Sequence, residues 1–474
     1  MVFSSITFLL YFLPFFLICY ALVPKSEKNL VLLLFSLIFY AWGAPRFIFL
    51  LVASTIIDFY LVNWMHKHPN LKKKKWILAS SIFLNVGLLI YFKYANFFVE
   101  NVNEIRLYFG SEAITWKEVL LPIGISFYTF QTLTYSIDVY RGLHPPLKNV
   151  QTYLVYILSF PQMIAGPIVR FNEVVNELLD RNPTYSDRIH GLFRFSLGLF
   201  KKVMIANVLG FQADEIMDLD PKTLHSATAW IGILAYTFQI YFDFSAYSDM
   251  AIGLGKIMGF RFPENFNKPY ISASITEFWR RWHITLGAWM KDYLYIPLGG
   301  NRVNNKARLY ANLITVFLIS GLWHGASWNY VLWGAIHGVF LMLDRMFLNR
   351  ILHKTGKWIA VPFTFLVVVL AWVYFRIENI EQAHQYVEQL VVFQIDIEFQ
   401  MPSSKFISIA SFALLLSFLA LMPQLKTIEK QIYFPSAFTN SSLITFTCLS
   451  VFFIVISVAN ISSVDFNPFI YFRF

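Results

Sequence analysis

Cysteine is almost missing from this chain: Cys19 and Cys448 are the two among 474 residues, and both sit inside apolar runs. Thiols placed that way read as small core residues, so neither a disulfide framework nor a thiolate metal site is indicated. Nor do other side chains supply a metal site. His283, His324 and His337 lack helical ligand spacing and no HExxH pair accompanies them, so bound metal is not expected. Charged residues are scarce, at 14%. The net charge of +10 falls in short loops between apolar runs and not on one polar face, a pattern of membrane topology and not of nucleic-acid binding. There is also no internal repeat of the kind that marks solenoids or two-fold transporters.

What the chain has in abundance is apolar surface. Hydrophobic residues make up 57%, with 50 Phe, 25 Tyr and 13 Trp. A soluble protein of this length cannot hide that much, so lipid must solvate part of it. Apolar runs recur near the length of about 20 residues that crosses a bilayer. The class is therefore an all-α polytopic membrane protein, read as one transmembrane domain over 1–474 with about eleven spans plus one or two re-entrant pieces.

Charge alternation orders the spans. Ile6 to Val23 has no basic region before it and no small-residue cleavage site after it, which predicts a retained first span. Asn29–Trp42, Phe47–Trp64, Trp76–Phe98 and Val119–Tyr140 follow, with Lys25, Lys28, Lys72 to Lys75, Arg141 and Lys148 on one side and the acidic 100–118 segment on the other. Pro161, Gly166 and Pro167 break the run Tyr153–Val169, as in a re-entrant helix. Arg188–Phe211, with Arg194, Lys201 and Lys202 among Leu, Phe and Val, reads as an amphipathic segment starting at the cytoplasmic interface. Ala227–Phe244, Leu309–Trp323, Trp328–Met346, Trp358–Phe375, Phe406–Leu421 and Leu443–Val458 complete the set, with Asp214–Asp220 and Glu378–Glu398 outside. Both termini are then extracytoplasmic.

The stretch Ile275–Gly338 stands apart. Basic residues flank Trp279–Trp289 on both sides, so this segment should dip into the membrane and return. Leu309 to Arg345 should form two helices hinged near Gly325–Ser327, with both basic ends cytoplasmic. From Arg308, a rise of about 1.5 Å per residue lifts His324 by roughly 24 Å into a core about 30 Å thick. An ionisable residue at that depth is a functional candidate. Stripped of solvent, it is expected to be neutral and able to take a proton from a hydroxyl. Gly321 and Gly325 allow close approach of backbone or ligand, and Trp323 and Trp328 are expected to wall the site. The alternative is that His324 only hydrogen-bonds between helices. His283 is expected to line the same cavity.

The runs FPENFNKPY from Phe262, FWRRWHITL from Phe278, DYLYIPLGGNR from Asp292 and GLWHG from Gly321 together resemble the membrane-bound O-acyltransferase (MBOAT) family. Within it they resemble the bacterial alginate O-acetyltransferase type. LPIGISFYTFQTLTYSIDVYRG from Leu121, FPQMIAGPIVR from Phe160 and QIYFDFSAYSDMAIGLG from Gln239 fit the same type. Gly287 and Lys291 stand where many relatives carry Ser and Arg. The resemblance implies helices around a central tunnel, a cytoplasmic acyl donor and a hydroxyl acceptor from the opposite face. It also implies that His324 is the catalytic histidine and His283 the second motif histidine.

Weaker roles go to residues around them. Arg280, Arg281, Lys291, Arg302 and Arg308 are candidates for the phosphates of coenzyme A or, equally, topology signals. Trp323 and Asp292 are candidate tunnel residues. Asp243 and Asp249, beside Ser245, Tyr247 and Ser248, suggest a polar network supporting the tunnel. Asp58, alone in the third span, reads as a structural hydrogen-bond partner.

The function expected is transfer of a short acyl group, foremost acetyl, from a thioester such as acetyl-CoA toward an extracytoplasmic polysaccharide. The setting is the bacterial inner membrane, and a separate extracytoplasmic transferase is the implied partner. No bound cofactor is expected. Alternatives are D-alanyl or other acyl transfer to teichoic acid or peptidoglycan and, in a different class, a transporter or flippase.

Overall fold

A computed structural model describes residues 1–392, 401–422, 430–435, 438–463 and 466–468. Among the described residues there is no strand, and five helices are both long and apolar enough to cross a membrane: Ile48–Lys67, Leu71–Tyr108, Trp328–Thr355, Lys357–Arg376 and Asn440–Ser463. Two shorter apolar helices are Thr7–Leu22 and Ser404–Phe418. Asp396 and Glu398, read as part of an outer segment, and the last six residues of the chain lie outside the described residues. The chain divides into two compact units, Met1–Pro183 with Met258–Pro263, and Thr184–Ile257 with Glu264–Phe474.

In the first unit helices overrun the boundaries that charge suggests. Leu71–Tyr108 is one helix of 38 residues, so Lys72 to Lys75 lie in its first turn and not in a loop. Asn70 caps it, its side chain accepting from the backbone N–H of Lys72 at 2.8 Å and Lys73 at 3.3 Å. The fifth span is shorter than its apolar run and begins at Ile125. The break at 159–161 is real: Val150–Leu158 ends at Ser159, and Phe160–Met163 starts with Pro161 at a first-turn position where the missing N–H does no harm. Asp58 is fully buried and accepts hydrogen bonds from Ser81 (2.5 Å), Asn85 (3.0 Å), Ser136 (3.2 Å) and Tyr153 (2.7 Å). Those donors belong to three further helices, so one carboxyl pins four elements together in the structural role its sequence suggests.

The second unit corrects one expectation. The stretch Arg188–Phe211 does not turn its basic residues outward, as an amphipathic segment would: Arg188 is exposed, but the others are not. It belongs to a helical run from Tyr185 to Met217, interrupted at Lys201–Ala206 by a wider π-helical turn, and it buries Arg194, Lys201 and Lys202. Arg194 binds Asp249 (2.8 Å) and both oxygens of Glu264 (3.0 and 2.6 Å), Lys201 binds Asp249 (2.8 Å), and Lys202 reaches Asp243 (2.8 Å). Three cations meet three carboxylates, which is what burial of charge demands. Asp243 and Asp249 come from Ser226–Met258, a 33-residue helix that runs well past the apolar stretch 227–244.

Two elements of this unit carry the candidate site. Lys306–His324 and Trp328–Leu343 form a helical hairpin joined at Gly325–Ser327. Glycine sets how closely they pack: a Cβ at Gly321 would stand 2.2 Å from the Tyr330 carbonyl oxygen, and one at Gly334 would stand 2.3 Å from that of Phe317. The Arg345 guanidinium donates to Asn301 at 2.8 Å, so the open ends of the hairpin lie together, as the charge pattern predicts. The segment expected to dip and return forms two short helices, Ile275–Arg281 and Ile284–Met290, with His283 between them.

Candidate active site

His324 is the last residue of its helix and is 4% exposed. Three aromatic rings close around its imidazole: Trp323 at 4.8 Å between centroids, Trp333 at 5.1 Å and Phe375 at 5.2 Å. The last of these comes from the Lys357–Arg376 helix. Trp328, expected as a wall, is 54% exposed at the start of the next helix, whereas Trp333 is fully buried. Of the two things Gly321 and Gly325 are expected to admit, backbone or ligand, they admit the protein itself. Gly321 faces the Tyr330 backbone, and a Cβ on Gly325 would lie 2.0 Å from the Tyr330 ring.

His283 also packs near Trp323, its ring centroid 6.2 Å from that of the indole, so one aromatic residue neighbours both imidazoles. Its backbone is left-handed, with φ 44° and ψ 54°. For a residue with a Cβ that costs of order 1–3 kcal/mol and persists only where surroundings enforce it. Here the enforcing bonds are Ile284 N–H to the Asn265 carbonyl at 2.9 Å and Asn267 N–H to the Arg281 carbonyl at 2.8 Å. The ring is 0% exposed, stands edge-on to Phe244 at 4.7 Å, and places Nδ1 3.0 Å from Asn265 Oδ1.

A third buried imidazole, His337, packs beside this pair. Trp279 Nε1 donates to its Nδ1 at 3.2 Å, and the Trp333 ring lies 4.9 Å away. Trp333 and His337 are four residues apart on one helix and so share a face, and both are fully buried. Phe375 and Asn265 were missed in sequence as well. Asn265 stands 18 positions before His283, a polar side chain between Phe262 and Phe266, and nothing local reveals the contact.

The weaker candidates separate. Asp243 and Asp249 are buried in the ion pairs described above. Arg280, Lys291, Arg302 and Arg308 are exposed, and Asp292 is half-buried in the π-helical turn Lys291–Tyr295. Arg281 is held by Glu277 at 2.7 Å. The basic side chains are therefore not gathered around the imidazoles. At the opposite end of the hairpin, a cleft of about 840 Å³ is lined by Tyr330, Phe375, Arg376, Asp218, Gln239 and Glu378, among others. Arg376 is fixed there by Asp214 at 2.9 Å and Asp218 at 2.6 Å. Since Phe375 lines the cleft and touches His324, the cleft stops one aromatic layer short of the imidazole.

A buried imidazole one aromatic layer from a polar-rimmed cleft suits proton transfer to and from a hydroxyl. Among the described residues no group of three or more His, Cys, Asp or Glu is arranged to hold a metal ion.

Similarity to known proteins agrees with this chemistry. Residues 104–381 match the membrane-bound O-acyltransferase family. A probable alginate O-acetylase AlgI of Pseudomonas aeruginosa is 45% identical over 400 residues, covering 83% of this chain and 75% of the relative. A peptidoglycan O-acetyltransferase of Helicobacter pylori is 39% identical over 433 residues, 82% of this chain and 80% of the relative. A teichoic acid D-alanyltransferase of Bacillus subtilis is 29% identical over 248 residues, half of this chain and 62% of the relative. With a family match over more than half its length and such identity across most of both chains, this protein belongs to the membrane-bound O-acyltransferase family and is an O-acyltransferase.

Proposed function

We propose that this enzyme carries an acetyl group from a cytoplasmic thioester, acetyl-CoA foremost, to hydroxyls of a polysaccharide outside the bacterial inner membrane, either directly or through an extracytoplasmic transferase. The observation that carries the reading is His324: a buried imidazole at the inner end of a hairpin whose open end is basic, one aromatic layer from a cleft whose rim holds Asp218, Asp220 and Glu378. The basic end suits the cytoplasm and the acidic end the outside, so donor and acceptor approach from opposite faces; the charge alternation along the sequence puts both termini outside as well.

In this reading His324 removes the proton as the acceptor hydroxyl attacks the thioester carbonyl. An oxygen–carbon bond forms, the tetrahedral adduct collapses, the carbon–sulfur bond breaks, and the proton returns to the thiolate as free thiol. Atoms balance without any other reactant. The acetylases and the peptidoglycan O-acetyltransferase are similar over four fifths of the chain, whereas the D-alanyltransferase is similar over half. Acetyl is therefore the better-supported group, with an alginate-like exopolysaccharide ahead of peptidoglycan as acceptor.

The test is acyl transfer in two parts. Purified protein in proteoliposomes should release free thiol from acetyl-CoA, and cell-surface glycans should lose O-acetyl mass increments when the gene is deleted. A protein that turns over no thioester, or a deletion that leaves every surface glycan unchanged, removes the reading. Turnover of D-alanyl thioester in place of acetyl-CoA selects the alternative.

A further inference from the structure

Asn265 and His283 are tied by geometry that decides which nitrogen of the imidazole bears the proton. Asn265 Oδ1 lies 3.3 Å from the backbone nitrogen of Thr285, a group that can only donate, and 2.8 Å from the Thr285 hydroxyl. Its Nδ2 donates to Ser248 Oγ at 3.2 Å. Flipping the amide would set its NH₂ against the Thr285 N–H, so the atom facing His283 is the oxygen. An oxygen accepts, and His283 Nδ1 at 3.0 Å must therefore donate. A neutral imidazole with its proton on Nδ1 has its lone pair on Nε2, and Nε2 makes no hydrogen bond with any described residue.

His337 shows the opposite case nearby. It accepts from Trp279 through Nδ1, so its proton is on Nε2. Two buried imidazoles packed against one aromatic cluster are thereby set in opposite tautomers, each by a single side chain.

We propose that Asn265 is a positioning residue that holds His283 as the Nδ1–H tautomer, so that Nε2 accepts a hydrogen bond from a substrate hydroxyl or amide N–H and does not donate one to a developing oxyanion. The left-handed backbone at His283 is the second half of the device. Asn265 also accepts from Ile284 N–H with its own carbonyl, so one residue fixes both the turn and the ring. The inference rests on the assignment of His283 to the transfer site, and it adds a role to a residue in the loop before the two short helices.

The experiment reads the tautomer without turnover. Purified protein labelled with ¹⁵N-histidine is compared with His283→Gln to assign the His283 nitrogens. The wild type is expected to show a single Nδ1–H signature. Asn265→Asp keeps an oxygen beside Nδ1 and should keep a proton on that nitrogen. Asn265→Leu removes the acceptor, so the ring should populate both tautomers and kcat should fall about 10²-fold, the scale expected for a misplaced reacting group. An Nε2–H signature in the wild type overturns the proposal. So does an Asn265→Leu protein whose activity falls only in proportion to its folded fraction. Because Asn265→Leu can fail to fold, the wild-type and Asn265→Asp measurements stand alone as tests. A wild type with the Nδ1–H signature and no acyl transfer leaves the tautomer assignment in place and overturns the proposed reaction instead.

Discussion

At the residue scale, His324→Ala separates two roles that a static imidazole can play. A general base is worth about 10² to 10⁴ in rate, whereas an interhelical hydrogen bond in a membrane is worth roughly 1 kcal/mol of stability. The His324 ring packs against Trp323, Trp333 and Phe375. Its removal opens some space, yet it leaves the glycine contacts of the hairpin untouched. His324→Ala is therefore expected to express, to unfold in detergent within a few degrees of the wild type, and to transfer acetyl at background level. A well-folded His324→Ala protein with comparable transfer would shift the base role to His283.

At the element scale, the hairpin is held by shape. A side chain at Gly334 meets the Phe317 carbonyl, a fixed backbone atom that cannot step aside. Gly334→Val is expected to destabilise the protein by about 1–3 kcal/mol, as overpacking does, visible as a lowered thermal midpoint. Gly87, on the Leu71–Tyr108 helix, provides the contrast, because a Cβ there meets nothing within 4 Å. Gly87→Ala should leave stability unchanged or raise it by up to about 1 kcal/mol through helix propensity. Equal changes in the two variants would show that close approach at Gly334 does not hold the hairpin.

For the whole molecule, the hydrogen bond from Arg345 to Asn301 places both ends of the hairpin at one end of the second unit. Single cysteines at Arg302 and Arg350, in a background with Cys19 and Cys448 changed to Ser, should therefore label from the same side of the membrane. In the topology proposed above that side is the cytoplasm. Labelling from opposite faces would sink the topology and with it the approach of donor and acceptor from opposite sides.

The all-helical membrane class, the hairpin with its turn at 325–327 and an interruption of the run Tyr153–Val169 at Pro161 were legible in the chain, because hydropathy, breakers and charge alternation act locally; that His283 sits between two short helices was not. Helix ends were not. Lys72 to Lys75 look like loop residues, yet Asn70 can cap a helix that begins beneath them. Nor could the sequence show that Arg194, Lys201 and Lys202 face inward, since their partners Asp243, Asp249 and Glu264 arrive from 41 to 70 positions away. The same holds inside the site. A histidine motif names His324 and His283, but Trp333, Phe375 and Asn265 join them only where separate helices and a loop converge. Burial decides this: a lone polar or basic side chain in an apolar run reads as strain or snorkelling until the fold brings the group that satisfies it.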